Sequence, residues 1–168
     1  METSPEVKLW AELCADRALA DLPYKIETTR SGKLIMSPVS FPHSNYQFQI
    51  GHILKPKMPS GRVLVECAIQ TSNGVRSADV AWISSERANP YLQVVCLPIA
   101  PEICVEVDSP SNTRKEFEEK KRLYFQAGAT EVWFCDKKGR MTFYASDNKR
   151  KSIPQSKLCP EFPLSVGD

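Results

Sequence analysis

The chain has 168 residues, 25% of them charged and 42% hydrophobic, with a formal charge of +2 at neutral pH. That is an ordinary globular composition, long enough for one domain with a real core, and so small a net charge neither demands nor forbids an anionic partner. The six cysteines show no CxxC spacing and there are only two histidines, so no zinc-ligand set is legible; the cysteines read as reduced, buried small hydrophobes.

The N-terminal stretch "METSPEVKLWAELCADRALADL" carries acidic residues throughout and lacks a signal-peptide apolar core. No apolar run approaches the roughly 20 residues needed to span a bilayer. The expected setting is soluble and cytoplasmic, with no membrane partner. Within that stretch, residues 4–19 have helical spacing of Val7, Trp10, Leu13 and Cys14, with Ser4 able to cap and Pro5 suited to the first turn.

"YKIETTRSGKLIMSP" (24–38) reads as a β-hairpin turning at Ser31-Gly32 and stopped by Pro38. A second helix follows from Pro42, with His43, Tyr46, Ile50, Ile53 and Leu54 on one face. "GRVLVECAIQT" is a strand whose simple alternation places Leu64, Glu66, Ala68 and Gln70 on one face and Val63, Val65, Cys67 and Ile69 on the other. "VRSADVAWIS" is the next strand and holds Asp79 among apolar residues. Residues 86–98 read as a connecting loop. The strand "EICVEV", a helix over 114–127, the strand "EVWFCD", a turn at Lys138-Gly139 and the strand "MTFYAS" complete the order. The expected class is α/β, with a mixed sheet flanked by helices, because a strand–helix–strand crossover favours parallel pairing. The expected organisation is a single domain over 1–168. Its core spans about 24–145, preceded by an N-terminal helix in 1–22 and followed by a polar, proline-punctuated tail over 149–168.

The crossover carries the chemistry. Alternation turns Ile103, Val105 and Val107 to one face of their strand, and Cys104, Glu106 and Asp108 to the other. An unpaired carboxylate buried at Glu106 would cost several kcal/mol, so a cation, a hydrogen-bond set or a metal must compensate it. The following helix opens with a capping-box pattern, Thr113 and Glu116, and closes at Gly128. Lys120 falls between Phe117 and Tyr124 on the inward side, while Lys121 and Arg122 read as outward. Asp79, Glu106 and Lys120 thus form an acid–acid–base trio. Two neighbouring carboxylates suit Mg²⁺ or Mn²⁺, and the trio supports phosphodiester hydrolysis with Lys120 orienting the attacking water or stabilising charge.

The segments "ADVAWIS" and "APEICVEVDSPSNTRKEFEEKKRLYFQAGATEVWFCD" resemble the PD-(D/E)XK nuclease superfamily, and within it the bacterial restriction-endonuclease-like family whose motif lysine has moved to the following helix. The resemblance covers about residues 24–145. It implies a restriction-endonuclease-like core and Mg²⁺-dependent cleavage of DNA. Asp79 and Glu106 would stand at the motif acids, Lys120 at the migrated lysine, and the backbone carbonyl of Val107 would be a further metal ligand. His43 heads a helix where such nucleases often add a polar site residue. Ala78 replaces the Pro of the motif. Asp108 stands where this branch usually has an apolar residue, as an extra metal ligand or a partner of Lys120. Glu116 is placed to brace Lys120 at i, i+4. Glu66 and Gln70 share a face that could line the cleft.

Cutting two strands commonly favours two sites about a two-fold axis, which makes a homodimer the natural expectation. The basic clusters at 137–140 and 149–151 read as solvated hairpin ends or as contacts to DNA phosphates. Two alternatives stay open: a catalytically inactive protein of nuclease fold that binds nucleic acid or another partner, and a Glu106–Lys120 pair that only stabilises the strand–helix unit.

Overall fold

Residues 3–167 are described by the computed structural model. Helix α1 (Pro5–Ala15) is capped by Ser4, whose hydroxyl accepts from the Val7 N–H, and a short 3-10 turn (Arg17–Leu19) follows it. Strands β1 (Tyr24–Thr28) and β2 (Leu34–Pro38) form the expected hairpin as a separate two-stranded sheet. Helix α2 (Phe41–Lys57) begins at a Ser40 cap and buries His43, Gln47, Ile50 and Leu54. Gln47 sits at the middle of that buried face, with Tyr46 and Ile53 only partly covered.

The main sheet has six strands in sequential order: β3 (Gly61–Thr71), β4 (Gly74–Ser84), β5 (Ile103–Val107), β6 (Glu131–Cys135), β7 (Met141–Ala145) and β8 (Ser152–Ile153). Neighbours are antiparallel except β5 and β6, which are parallel and joined through helix α4 (Arg114–Gln126). This is the mixed sheet and strand–helix–strand crossover expected from the sequence. The stretch read as a loop after β4 contains a single-turn helix α3 (Ser85–Ala88) and a 3-10 turn.

Two cores cover the faces of the sheet. On one, Ile50 and Leu54 of α2 pack with Val80, Trp82, Ile103, Val105, Trp133 and Phe143. On the other, Phe117, Tyr124 and Phe125 of α4 pack with Cys67, Ile69, Ala78, Ala81, Cys104 and Val132. The six cysteines are free thiols, all but Cys14 buried. No helix among the described residues is long and apolar enough to cross a membrane.

The tail differs from its reading as a polar extension. Cys159, Phe162 and Val166 are buried in the α2-side core, and Phe162 packs against Trp133. The buried Glu131 carboxylate organises the return: it accepts from the Ser156 hydroxyl and the Lys157 N–H, each at 2.7 Å, and from the Leu158 N–H at 3.0 Å. Proline spacing makes such a segment look like a loop, yet scattered apolar residues are enough to pack once one carboxylate satisfies its backbone.

The alternation on β3 also departs from the simple pattern. Leu64 packs with the same core as Cys67 and Ile69, whereas Val63 packs with the opposite one. On β4, Ala78 and Val80 likewise belong to opposite cores although they are two residues apart. The phase changes at Glu66, whose φ of 52° lies in the left-handed region, and the facing pair Glu66 and Asp79 drops out of an otherwise continuous ladder. A left-handed residue rotates the strand, so side chains beyond it swap faces.

Candidate active site

Asp79 and Glu106 are brought together by where a ladder stops. Strands β4 and β5 pair from Trp82–Ile103 to Val80–Val105, and the next pair in register would be Asp79 with Glu106. Pairing ends there, and Asp79 Oδ2 accepts the Val107 N–H at 2.7 Å in place of a strand carbonyl. Both acids are buried, 1% and 3% exposed. They line a cavity of about 280 Å³ together with Lys25, Glu27, His43, Val107, Asp108 and Lys120.

The α4 side holds Glu106. Lys120 Nζ lies 2.8 Å from Glu106 Oε2 and 2.9 Å from Glu27 Oε1, and donates to the Ser77 carbonyl at 3.1 Å. The Tyr124 hydroxyl donates to Glu106 Oε1 at 2.7 Å. The capping box at Thr113 and Glu116 sets the start of α4, so Lys120 and Tyr124 share one inward edge four residues apart.

The α2 and hairpin side holds Asp79. Lys25 Nζ is 2.5 Å from Asp79 Oδ1 and 3.8 Å from Glu66 Oε2. His43 Nε2 lies 3.2 Å from the same Asp79 oxygen, while His43 Nδ1 is buried without a hydrogen-bond partner among the described residues. Gln47 donates to Glu66 Oε1 at 2.7 Å and to the Asp79 carbonyl at 2.8 Å, which supplies a partner for a backbone group at the interruption of the ladder. The hairpin is docked on β4 through Glu27, which accepts the Ser77 N–H at 2.7 Å, and through Thr28, which accepts from the Val75 N–H at 3.0 Å.

These contacts set the protonation of the two acids apart. Burial pushes the Asp79 carboxyl up, but the Lys25 ammonium, the His43 hydrogen bond and Lys120 outweigh it and hold the group well below the usual carboxylate range. At Glu106 burial wins: despite Lys120, and with the Asp79 charge adding to the effect, its carboxyl is pushed up to about 7. Burial opposes ionisation of Glu27, yet Lys120 and Lys25 keep its carboxyl lowered. His43 is likewise driven down by burial and raised more strongly by Asp79. Lys25 is penalised by burial, but four acids raise it well above the usual lysine range.

Several expected neighbours stand elsewhere. Gln70 does not join the site; its amide donates to Ser4 Oγ at 3.0 Å, because the phase change at Glu66 separates the two residues. Glu116 does not brace Lys120, since its carboxylate accepts the Thr113 N–H in the capping box. Asp108 lines the cavity without pairing to Lys120, whose ion pairs run to Glu27 and Glu106. Lys121 is buried rather than outward: its ammonium stands 4.0 Å from the centre of the Tyr144 ring and 2.7 Å from Glu118.

Residues 15–162 match the family described as Uma2, "Putative restriction endonuclease". The chain belongs to the Uma2 family. A crystal structure described as a putative nuclease belonging to DUF820 from Anabaena variabilis ATCC 29413 has a TM-score of 0.70 to this chain, at 16% identity, covering 83% of this chain and 86% of the other. At that identity the likeness speaks to the fold alone. Among curated proteins no sequence match was found.

Three polar side chains that contact Asp79 or Lys120 went unread in the sequence: Lys25, Glu27 and Gln47. Each left a trace. Lys25 and Glu27 are two residues apart on one face of "YKIET", and Gln47 lies one helical turn from His43 on the buried face of α2. Nothing in that local pattern says that the hairpin folds down onto β4.

Proposed function

We propose that this chain is a divalent-metal-dependent endonuclease that hydrolyses phosphodiester bonds in DNA. It is a single domain that uses Mg²⁺ or Mn²⁺ and acts in the cytoplasm as a homodimer. The observation that carries the reading is the convergence of two strand carboxylates, Asp79 and Glu106, with the helix-borne Lys120 on one cavity of a chain in a restriction-endonuclease family.

The donor set fits a divalent cation. Ligand atoms of His43, Glu66 and Asp79 lie within 4.8 Å of one another, with His43 facing Asp79 through Nε2 at 3.2 Å. Glu106 lies outside that triplet, with its oxygens engaged by Lys120 and Tyr124. Asp79 is therefore the ligand common to both candidate sets, the triplet with His43 and Glu66 and the pair with Glu106 and the Val107 carbonyl. A bound cation would polarise the phosphate and acidify a water molecule.

The chain's own residues do the rest. Lys120, fixed by Glu27 and Glu106, presents a donor to the attacking water or to the phosphate oxygen that gains charge. Tyr124 and the Val107 N–H hold the two acids rigid. The exposed Lys137, Lys138 and Lys149–Lys151 segments offer contacts to DNA phosphates away from the cavity.

A second reading is favoured by one observation: Lys25 already neutralises Asp79 without a metal. On that reading the fold serves as a nucleic-acid or partner-binding module without catalysis. Incubation with supercoiled plasmid and with single-stranded DNA in Mg²⁺, Mn²⁺ or chelator separates the two. Metal-dependent nicking that disappears in Asp79→Ala and Glu106→Ala supports the nuclease. Binding without cleavage by the folded wild type in either metal sinks it in favour of the module.

A further inference from the structure

Lys25 is the residue least explained by a nuclease trio. It comes from the separate β1–β2 hairpin, its side chain is 8% exposed, and its ammonium lies against Asp79 Oδ1 and within ion-pair reach of Glu66 Oε2. Those two acids, with His43, are the same three residues whose ligand atoms cluster within 4.8 Å. The His43 ring touches the same Asp79 oxygen as Lys25 and retains a buried nitrogen that is unpaired among the described residues. An ammonium and a divalent ion placed against one carboxylate oxygen repel each other strongly in a buried site.

We propose that Lys25 is a tethered cation: it occupies the place of a divalent ion among Asp79, Glu66 and His43, so that metal and the hairpin lysine compete for one site. This rests on the metal-dependent reading given above. An imidazole beside two carboxylates departs from the all-oxygen preference of Mg²⁺ or Ca²⁺ and admits a transition-metal ion, for which Mn²⁺ is the probe. The competition has a structural outlet. Lys25 lines the open cavity, so its ammonium can leave Asp79 for that space while Glu27 and Thr28 keep the hairpin anchored to β4. In the ion-free protein, Lys25 prevents Asp79 and Glu66 from facing one another uncompensated. With metal present, the freed ammonium stands beside the cavity that would receive a phosphate.

Mn²⁺ titration followed by electron paramagnetic resonance, on wild type and Lys25→Met, tests this without any cleavage assay. The expected result is that Lys25→Met binds Mn²⁺ at least about tenfold more tightly, because the competing charge is gone. Equal or weaker binding by the folded variant overturns the competition and leaves the nuclease reading standing. No Mn²⁺ binding by either protein overturns the competition too, and plasmid cleavage in Mg²⁺ then decides the nuclease reading separately. Acetylation footprinting of the wild type covers a variant that fails to fold. Lys25, shielded in chelator, should become several-fold more reactive on adding Mn²⁺, and unchanged reactivity in Mn²⁺ that is bound would overturn the proposal.

Discussion

Tyr124 donates its hydroxyl to Glu106 at 2.7 Å from the same helix edge that supplies Lys120. Each oxygen of the buried carboxylate thus has its own partner, one neutral and one charged. Tyr124→Phe removes the neutral one and leaves Glu106 Oε1 without it. We expect a loss of about 1–3 kcal/mol in urea unfolding, the range for a buried acceptor losing its donor. A stability equal to wild type would mean that Tyr124 contributes packing alone.

Glu106 also sets a pH dependence. Its carboxyl is pushed up to about 7 in the folded chain, against an ordinary value of 4.5. Between those pH values the folded state keeps a proton that the unfolded state has released, so stability falls as pH rises through the window and levels off above it. Glu106→Gln deletes this slope, while His43 is present in both proteins and cancels. In chelator, wild type should therefore lose ground to Glu106→Gln from about pH 4.5 to 7.5, by about 1.4 kcal/mol per pH unit at most. Parallel stability–pH curves would contradict the raised value.

Asp79 carries the opposite kind of test. Asp79→Ala strands the Lys25 ammonium, which loses its 2.5 Å partner, and the Val107 N–H, which loses its acceptor. Breaking a buried pair from one side costs about 3–5 kcal/mol. Adding Lys25→Met should restore part of that loss, and a double-mutant cycle in urea reads the coupling. Strictly additive losses would show that the two side chains do not act as a pair.

Adjacent lysines on α4 separate catalysis from packing. Lys120→Met should cut metal-dependent cleavage by about 100-fold or more, as loss of a charge-stabilising donor does. Lys121→Met should keep cleavage near wild type, because Lys121 lies over Tyr144 and pairs with Glu118 away from the cavity. Equal losses in a plasmid-nicking assay would remove Lys120 from the proposed role.

Much of this protein was legible from local pattern. The apolar run "ICVEV" marks Glu106 as buried, the capping box at Thr113 and Glu116 phases α4, and that phase turns Lys120 inward. These inferences hold because β5 and α4 are regular, and a regular strand or helix imposes its own side-chain period. The same logic misplaced Lys121. A wide buried edge on α4 admits two adjacent lysines, one pairing with acids and the other stacking on an aromatic ring.

Local residue pattern is enough to specify the strands and helix that present Asp79, Glu106 and Lys120. Tertiary structure alone decided what surrounds them. Lys25 and Glu27 reach the cavity because a hairpin outside the main sheet docks on β4, more than forty positions along the chain from its contacts. Gln70 leaves the cleft because Glu66 takes a left-handed conformation that breaks the alternation. The tail enters the core because one buried carboxylate, Glu131, gathers its backbone donors. The hairpin and the tail are placed by long-range satisfaction of buried polar groups, and local periodicity holds no information about which distant segment provides it.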